Sequence, residues 1–305
     1  MKEPIIISIG GGKGGIGKST VTANIGSTLS QKGYSVGFID ADLGGANLHS
    51  CLGVKHPHIG LNDFISGKFK KIDDILLTTP VPNTWLVSGA SDFLELANPN
   101  YSQKQKLINN MKKLSADYIF VDLGAGSSYN VTDFYASFKY GIIVADSLPT
   151  SIENAYGFLK NGIIRGLSRL FSGNQTLQNR IKSFCDPVTK CEYSTINDFF
   201  NSLRNDYAHE TLLMQEWLHN RIHLLVINMV KNNDDIKVGN RFVEMVKKYL
   251  SINLCYIGYV IYSPEVRTSI KEMRPAVFNS EQTKLIECFN AITTNLITLT
   301  KGAEK

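Results

Sequence analysis

The run at residues 10–20, Gly-Gly-Gly-Lys-Gly-Gly-Ile-Gly-Lys-Ser-Thr, constrains this chain more than any other stretch. It follows the apolar segment Ile5-Ile6-Ile7-Ser8-Ile9 and precedes a segment of helical periodicity. From Gly12 to Ser19 it fits G-x-x-x-x-G-K-[ST]. Strand, glycine loop and helix in that order make a cradle for phosphate. The glycines Gly12, Gly14, Gly15 and Gly17, with Lys13 and Ile16 between them, let backbone N–H groups turn inward. The helix beyond adds its unpaired N–H groups and the positive end of its dipole. Lys18 is placed to neutralise β- and γ-phosphates and Ser19 to reach Mg²⁺, and Thr20 completes the predicted contact set.

A chain of 305 residues with 43% hydrophobic content can bury a large core. Short apolar runs alternate with amphipathic stretches, which predicts one α/β domain over 1–305, a doubly wound, mostly parallel sheet flanked by helices. The net charge of +5 permits an anionic partner without requiring one. No apolar stretch approaches the roughly 20 residues that span a bilayer. Met1-Lys2-Glu3-Pro4 runs straight into the first apolar run, so a signal peptide is not expected. The cysteines, Cys51, Cys185, Cys191, Cys255 and Cys288, are odd in number and scattered, which predicts a reducing cytoplasm. Cys185 and Cys191 without histidine neighbours make a poor metal site.

Beyond the loop, Val21, Ile25 and Leu29 predict a helix with one apolar stripe, stopped at Gly33. A strand at 36–39 ends in Asp40-Ala41-Asp42-Leu43-Gly44-Gly45-Ala46-Asn47-Leu48. Carboxylates at the C-terminal end of a parallel strand, beside a phosphate loop, point to Mg²⁺ and water, with a structural capping role for Asp42 as the alternative. Leu61, Phe64 and Ile65 mark a helix, residues 85–87 a short strand, and Leu107, Met111 and Leu114 another helix. The apolar strand at 117–122 ends in Asp122, placed to hold Mg²⁺ through water or through Ser19, and the flexible segment Leu123-Gly124-Ala125-Gly126 follows. Further strands are expected at 141–145, at 223–228 ending in Asn228, and at 255–260.

Lys13 inside the loop gives K-G-G-x-G-K-[ST], which resembles the deviant phosphate loop of the MinD/ParA ATPases. The resemblance implies an ATP- and Mg²⁺-dependent ATPase that forms a homodimer, with Lys13 reaching the partner's nucleotide as an arginine finger would. Residues 40–48 resemble the family's first switch, D-x-D-x-G-x-x-N-L. This implies that Asp40 lies near the metal, that Asp42 orients or polarises the attacking water, and that Asn47 is the switch asparagine. Their wording looks closest to the FlhG-like branch, regulators of flagellar placement and number. By the same resemblance Gly126 senses the γ-phosphate through its N–H, and Pro149 to Tyr156 matches the family's entry into a helix. Asn228 corresponds to an adenine-binding residue, which favours ATP over GTP because an amide satisfies both a donor and a ring acceptor. A turn-forming role for Asn228 stays open. Asp146-Ser147-Leu148 and Ser263 depart from the family's wording.

Residues 165–221 exceed what the family needs between a helix and the next strand, and are expected to form a mostly helical insertion. Arg165, Arg169, Arg180 and Lys182 interleave there with apolar residues, so the segment either touches an anionic membrane or nucleic acid or presents a solvated helix face. The stripe Leu285, Phe289, Ile292, Leu296 and Leu299 lacks the positive charge of a lipid-binding helix and is expected to pack on the core. The N-terminal activating segment that the resemblance to GTPase-stimulating FlhG proteins would imply is not expected ahead of the loop. The leading expectation is an ATP-dependent switch that recruits or positions an unidentified regulatory protein, cytoplasmic and with peripheral membrane contact open. The alternatives are an ATP-gated DNA-binding partition ATPase, a synthetase that activates a carboxylate, or an iron–sulfur carrier, for which the required C-x-x-C is missing.

Overall fold

The computed structural model describes residues 3–89, 99–184, 193–278 and 283–302. In chain order its strands are β1 (Ile5–Gly10), β2 (Val36–Asp40), β3 (Leu77–Thr78), β4 (Thr84–Val87), β5 (Tyr118–Asp122), β6 (Tyr140–Ala145), β7 (Ile222–Val230) and β8 (Leu254–Ile261). They form one eight-stranded sheet in the order β3-β4-β2-β5-β1-β6-β7-β8. Every pairing is parallel except that of β3 with β4. The helices are α1 (Lys18–Gln31), α2 (Leu48–Cys51), α3 (Leu61–Ile65), α4 (Tyr101–Met111), α5 (Tyr129–Tyr135), α6 (Pro149–Leu170), α7 (Gln175–Ser183), α8 (Ile196–Leu203), α9 (Ala208–His219), α10 (Asn233–Leu250), α11 (Glu265–Lys271) and α12 (Thr283–Gly302).

The two-residue period of the strands explains why their sequences are apolar throughout. Ile6, Ile119, Val121, Ile143 and Leu225 enter one apolar cluster, and their neighbours Ile7, Phe120, Ile142, Val144 and Leu224 enter the other. The first cluster is covered by α3 to α10, the second by α1, α2 and α12. Leu285, Phe289, Ile292 and Leu296 of α12 are buried there, as the stripe predicts. The expected elements at 36–39, 85–87, 141–145, 223–228 and 255–260 all lie within strands, and that at 117–122 matches β5 except that Asp117 precedes it. The antiparallel edge pair β3 was not legible, because Leu77-Thr78 is too short to carry a period.

The expected insertion begins inside a helix. α6 runs without a break through Arg165 to Leu170, and its Leu159, Ile163 and Leu167 are buried on both sides of Arg165. Beyond α6, the described residues up to Arg221 form α7, α8, α9 and their connections. In α8, Ile196, Phe199, Phe200 and Leu203 make one buried stripe. Thr195 and Asp198 cap it reciprocally, the Asp198 N–H donating to Thr195 Oγ1 at 3.2 Å and the Thr195 N–H to Asp198 Oδ2 at 2.9 Å. Cys185 and Cys191 lie outside the described residues. Among the described residues, no helix is long and apolar enough to cross a membrane.

Candidate functional site

The sheet order sets the site. β1 is central, with β5 on one side and β6 on the other, so the chain leaves β1 where the sheet's winding reverses and a crevice opens at the strand ends. The glycine loop occupies that edge. Gly17 is the N-cap of α1 at φ 83°, a left-handed conformation that carries no Cβ penalty only for glycine. No acidic residue stands in the first turn of α1 to compete with an anion for its N–H groups. Gly12 lies so close to α6 that a Cβ there would overlap the Asn154 carbonyl. Ile16, 2% exposed, anchors the loop in the core, whereas Lys13, Gly14 and Gly15 stand exposed on its rim.

Lys18 points inward. It is 8% exposed and its Nζ donates to the Lys13 carbonyl at 3.4 Å, closing the loop on itself. Burial lowers its pKa, and Asp122 and Asp42 act in the opposite direction. Asp122 ends β5 with its carboxylate accepting from the Thr22 hydroxyl at 3.3 Å and from the Ser19 hydroxyl. Thr22 was not singled out from the sequence, although its place one helical turn beyond Lys18 puts it on the same face of α1. Thr20 turns its hydroxyl to the Cys51 thiol, which burial pushes up to about 12 and leaves unreactive.

Asp40 ends β2 directly beside Asp122, and neither of its carboxylate oxygens is free. Oδ1 accepts the Asp42 N–H at 3.2 Å and Oδ2 the Leu48 N–H at 3.1 Å, so Asp40 fixes both ends of the segment 42–48. Asn47 is exposed and donates from Nδ2 to the Gly45 carbonyl at 2.6 Å. The Asp42 carboxylate lies against the second glycine segment, where a Cβ on Gly124 would sit 3.1 Å from Asp42 Oδ1. That segment also approaches the loop rim, the Ala125 Cβ lying 3.7 Å from where a Cβ on Gly14 would be. Gly126 then turns the chain at φ 81°.

Asn228 occupies an unexpected position. Its Nδ2 donates to the Ile16 carbonyl at 2.8 Å, and it packs on Gly17 closely enough that a Cβ there would overlap the amide. One end of the amide is thus committed to the glycine loop. The departing segment 146–148 also has a local account. The Asp146 N–H donates to Ser151 Oγ at 3.0 Å and Asp146 Oδ1 accepts the Leu148 N–H at 2.9 Å, which fixes the entry to α6.

The arginines for which an anionic surface or a solvated helix face stood open are engaged within the protein. Arg165 Nε donates to Asp133 Oδ1 at 2.5 Å and Arg169 Nη1 to the Asp133 carbonyl at 3.2 Å. Arg180 Nη1 donates to Asp206 Oδ2 at 2.9 Å. Their guanidinium groups also lie over the rings of Tyr129, Tyr101 and Tyr207, respectively.

The donor set suits Mg²⁺. Ser19 and Asp122 offer hard oxygens at the foot of the loop, and among the described residues no group of three or more carboxylate, thiol or imidazole donors forms an all-protein metal cage. A site of few protein oxygens completed by phosphates and water is the usual one for Mg²⁺.

The CobQ/CobB/MinD/ParA nucleotide binding domain matches residues 7–276. The flagellum site-determining protein YlxH of Helicobacter pylori is 35% identical over 156 residues, 50% of this chain and 52% of that protein. The antiactivator FleN of Pseudomonas aeruginosa is 34% identical over 157 residues, 51% of this chain and 55% of that protein. The chain thus spans about half the length of the curated relatives it matches. In fold it resembles the septum site-determining protein MinD of Pyrococcus horikoshii, solved with Mg-ADP, with a TM-score of 0.66 at 22% identity over 98% of each chain. From the glycine loop through Gly126, sequence and fold agree, and the chain belongs to the CobQ/CobB/MinD/ParA nucleotide binding domain family.

Proposed function

We propose that this chain, acting as one unit over 1–305, binds Mg²⁺–ATP and hydrolyses it slowly, and that ATP drives a homodimer which recruits or positions a partner protein. The observation that carries the reading is the convergence of Lys18, Ser19, Asp42 and Asp122 on one glycine loop, from three segments far apart in sequence. Lys18 and the N–H groups of α1 stabilise the charge that develops on the transferred phosphoryl group. Ser19 and Asp122 would hold Mg²⁺, with Asp40 behind them, and Mg²⁺ when bound supplies further neutralisation of the phosphates. Asp42 orients or polarises the attacking water, Gly126 donates its N–H to the γ-phosphate, and exposed Lys13 reaches across to the partner's nucleotide.

The adenine contact proposed for Asn228 uses the end of its amide not bonded to Ile16. The names of relatives that determine flagellum and septum sites support a use in spatial regulation, in the cytoplasm. The DNA-binding and membrane readings lose their main support, because Arg165 and Arg169 are engaged within the protein. The additional helices α7 to α9 are proposed as an elaboration of this same unit.

Phosphate release from ATP tests the activity. Asp42→Ala should lower kcat by roughly a hundredfold while ADP affinity stays within about twofold. Hydrolysis that is unchanged in Asp42→Ala, or that requires a carboxylate co-substrate, contradicts the reading and favours a synthetase.

A further inference from the structure

A cavity of about 330 Å³ opens beyond the segment Leu123-Gly124-Ala125-Gly126, between α5, α6 and α7, lined by Ser127, Tyr129, Thr132, Asn161, Ile164, Arg165, Ser168 and Lys182. Its volume falls within the range of small-molecule sites. Its chemistry is one-sided. No acidic side chain lines it among the described residues, whereas hydroxyls, an amide and two cations do. Behind the wall, Lys104, Arg165 and Arg169 share the single carboxylate of Asp133, so the surroundings carry an excess of positive charge. Lys182, exposed at the end of α7, adds a cation from the additional helices.

Ser168 supplies the second observation. It is 4% exposed and lines the cavity, and its Oγ has no hydrogen-bond partner. A buried hydroxyl left unpaired is costly, and a ligand acceptor at this point would relieve it. Ile164 and the ring of Tyr129, over which Arg165 lies at 4.9 Å, offer an apolar and aromatic wall to the body of a ligand.

We propose that this cavity is a binding site for a small organic anion, a phosphate monoester or carboxylate on an apolar body, with the charged group on Lys182 and Ser168 and the body against Tyr129 and Ile164. Ser127 follows Gly126 directly and Tyr129 lies two residues further on, so one wall of this site continues the segment 123–126. Occupancy and nucleotide state are therefore linked in both directions, a consequence that rests on the nucleotide reading of the glycine loop.

The test is an amide-resonance titration of the full chain with phenyl phosphate and, separately, phenylacetate, each to about 10 mM. Because phosphate also suits the glycine loop, the protein is saturated with ADP and Mg²⁺, and the titration is repeated on Lys18→Ala. Saturable shifts at Ser127, Tyr129, Ser168 and Lys182 that persist in Lys18→Ala, that weaken at least about tenfold in Lys182→Ala and that are reduced in Ser168→Ala are expected, because bonds to a charged group are the stronger ones. Phenol, which lacks the anion, should not bind. Which of the two probes binds distinguishes phosphate from carboxylate. No saturable shift with either probe, or shifts indifferent to Lys182→Ala and Ser168→Ala, overturns the proposal. Failure of ADP to bind while the Lys18→Ala titration succeeds removes only the linkage.

Discussion

Asp40 and Asp122 are register partners at the ends of adjacent parallel strands, 0% and 1% exposed. Burial, and then the neighbouring Asp122, lifts the Asp40 carboxyl well above the usual carboxylate range. Burial likewise lifts Asp122 to about 6, against the bond from Ser19, the charge of Lys18 and the bond from Thr22. Asp122 raises Asp40 and Asp42 adds to the rise at Asp122, so the buried carboxyls are unfavourable as anions together, and a divalent cation beside them would relieve this.

This pair predicts an inverted pH dependence of stability. The folded pKa of Asp122 is about 6 and its ordinary value is 3.8. Between those values the folded chain holds a proton that the unfolded chain has lost, so this contribution is present at lower pH and is lost as pH rises through about 6. In urea denaturation without nucleotide or Mg²⁺, Asp122→Asn should therefore be more stable than the native chain by about 1–3 kcal/mol near neutral pH, and the difference should vanish towards about pH 4. A variant less stable at neutral pH would contradict the assignment.

Asn228 predicts a different signature. Since its Nδ2 holds the Ile16 carbonyl and its other end is proposed for adenine, Asn228→Ala should loosen the glycine loop and weaken both nucleotides, GDP about fivefold and ADP more, about tenfold or beyond, as seen by calorimetry. A loss confined to ADP would assign the side chain to the base alone.

The central site was legible because its chemistry is written in contiguous runs. Gly12 to Ser19, Asp40 with Asp42, and Asp122 each sit at a strand end, and a parallel sheet must bring such ends to one edge. What was not legible depends on contacts between distant segments. Nothing local in Asn228 announces a bond to Ile16, 212 positions away. The arginines of α6 read as a surface feature because Asp133, which binds them, lies 32 residues from Arg165. The expected start of the insertion falls inside α6, whose Arg165 and Arg169 lie on the side of an otherwise buried helix that faces α5.

Asp133 is 2% exposed and is the common acceptor for Lys104, Arg165 and Arg169, joining α4, α5 and α6. Burial opposes its ionisation, yet bonds from Arg165 and Lys104 hold its carboxyl below the usual range. Asp133→Asn should cost about 3–5 kcal/mol in denaturant unfolding, because it leaves buried Lys104 without its counter-charge. A loss below about 1 kcal/mol would show that the cluster is not a stabilising hub.

The exposed position of Lys13 beside buried Lys18 supports the proposed ATP-dependent dimer, and mass in solution tests that proposal most directly. Light scattering is measured on Asp42→Ala with ADP, with ATP and Mg²⁺, and again with Lys13→Ala added. The account predicts a monomer with ADP, a doubling of mass with ATP and Mg²⁺, and loss of that doubling in the double variant. A mass indifferent to nucleotide, or a dimer indifferent to Lys13→Ala, would contradict it.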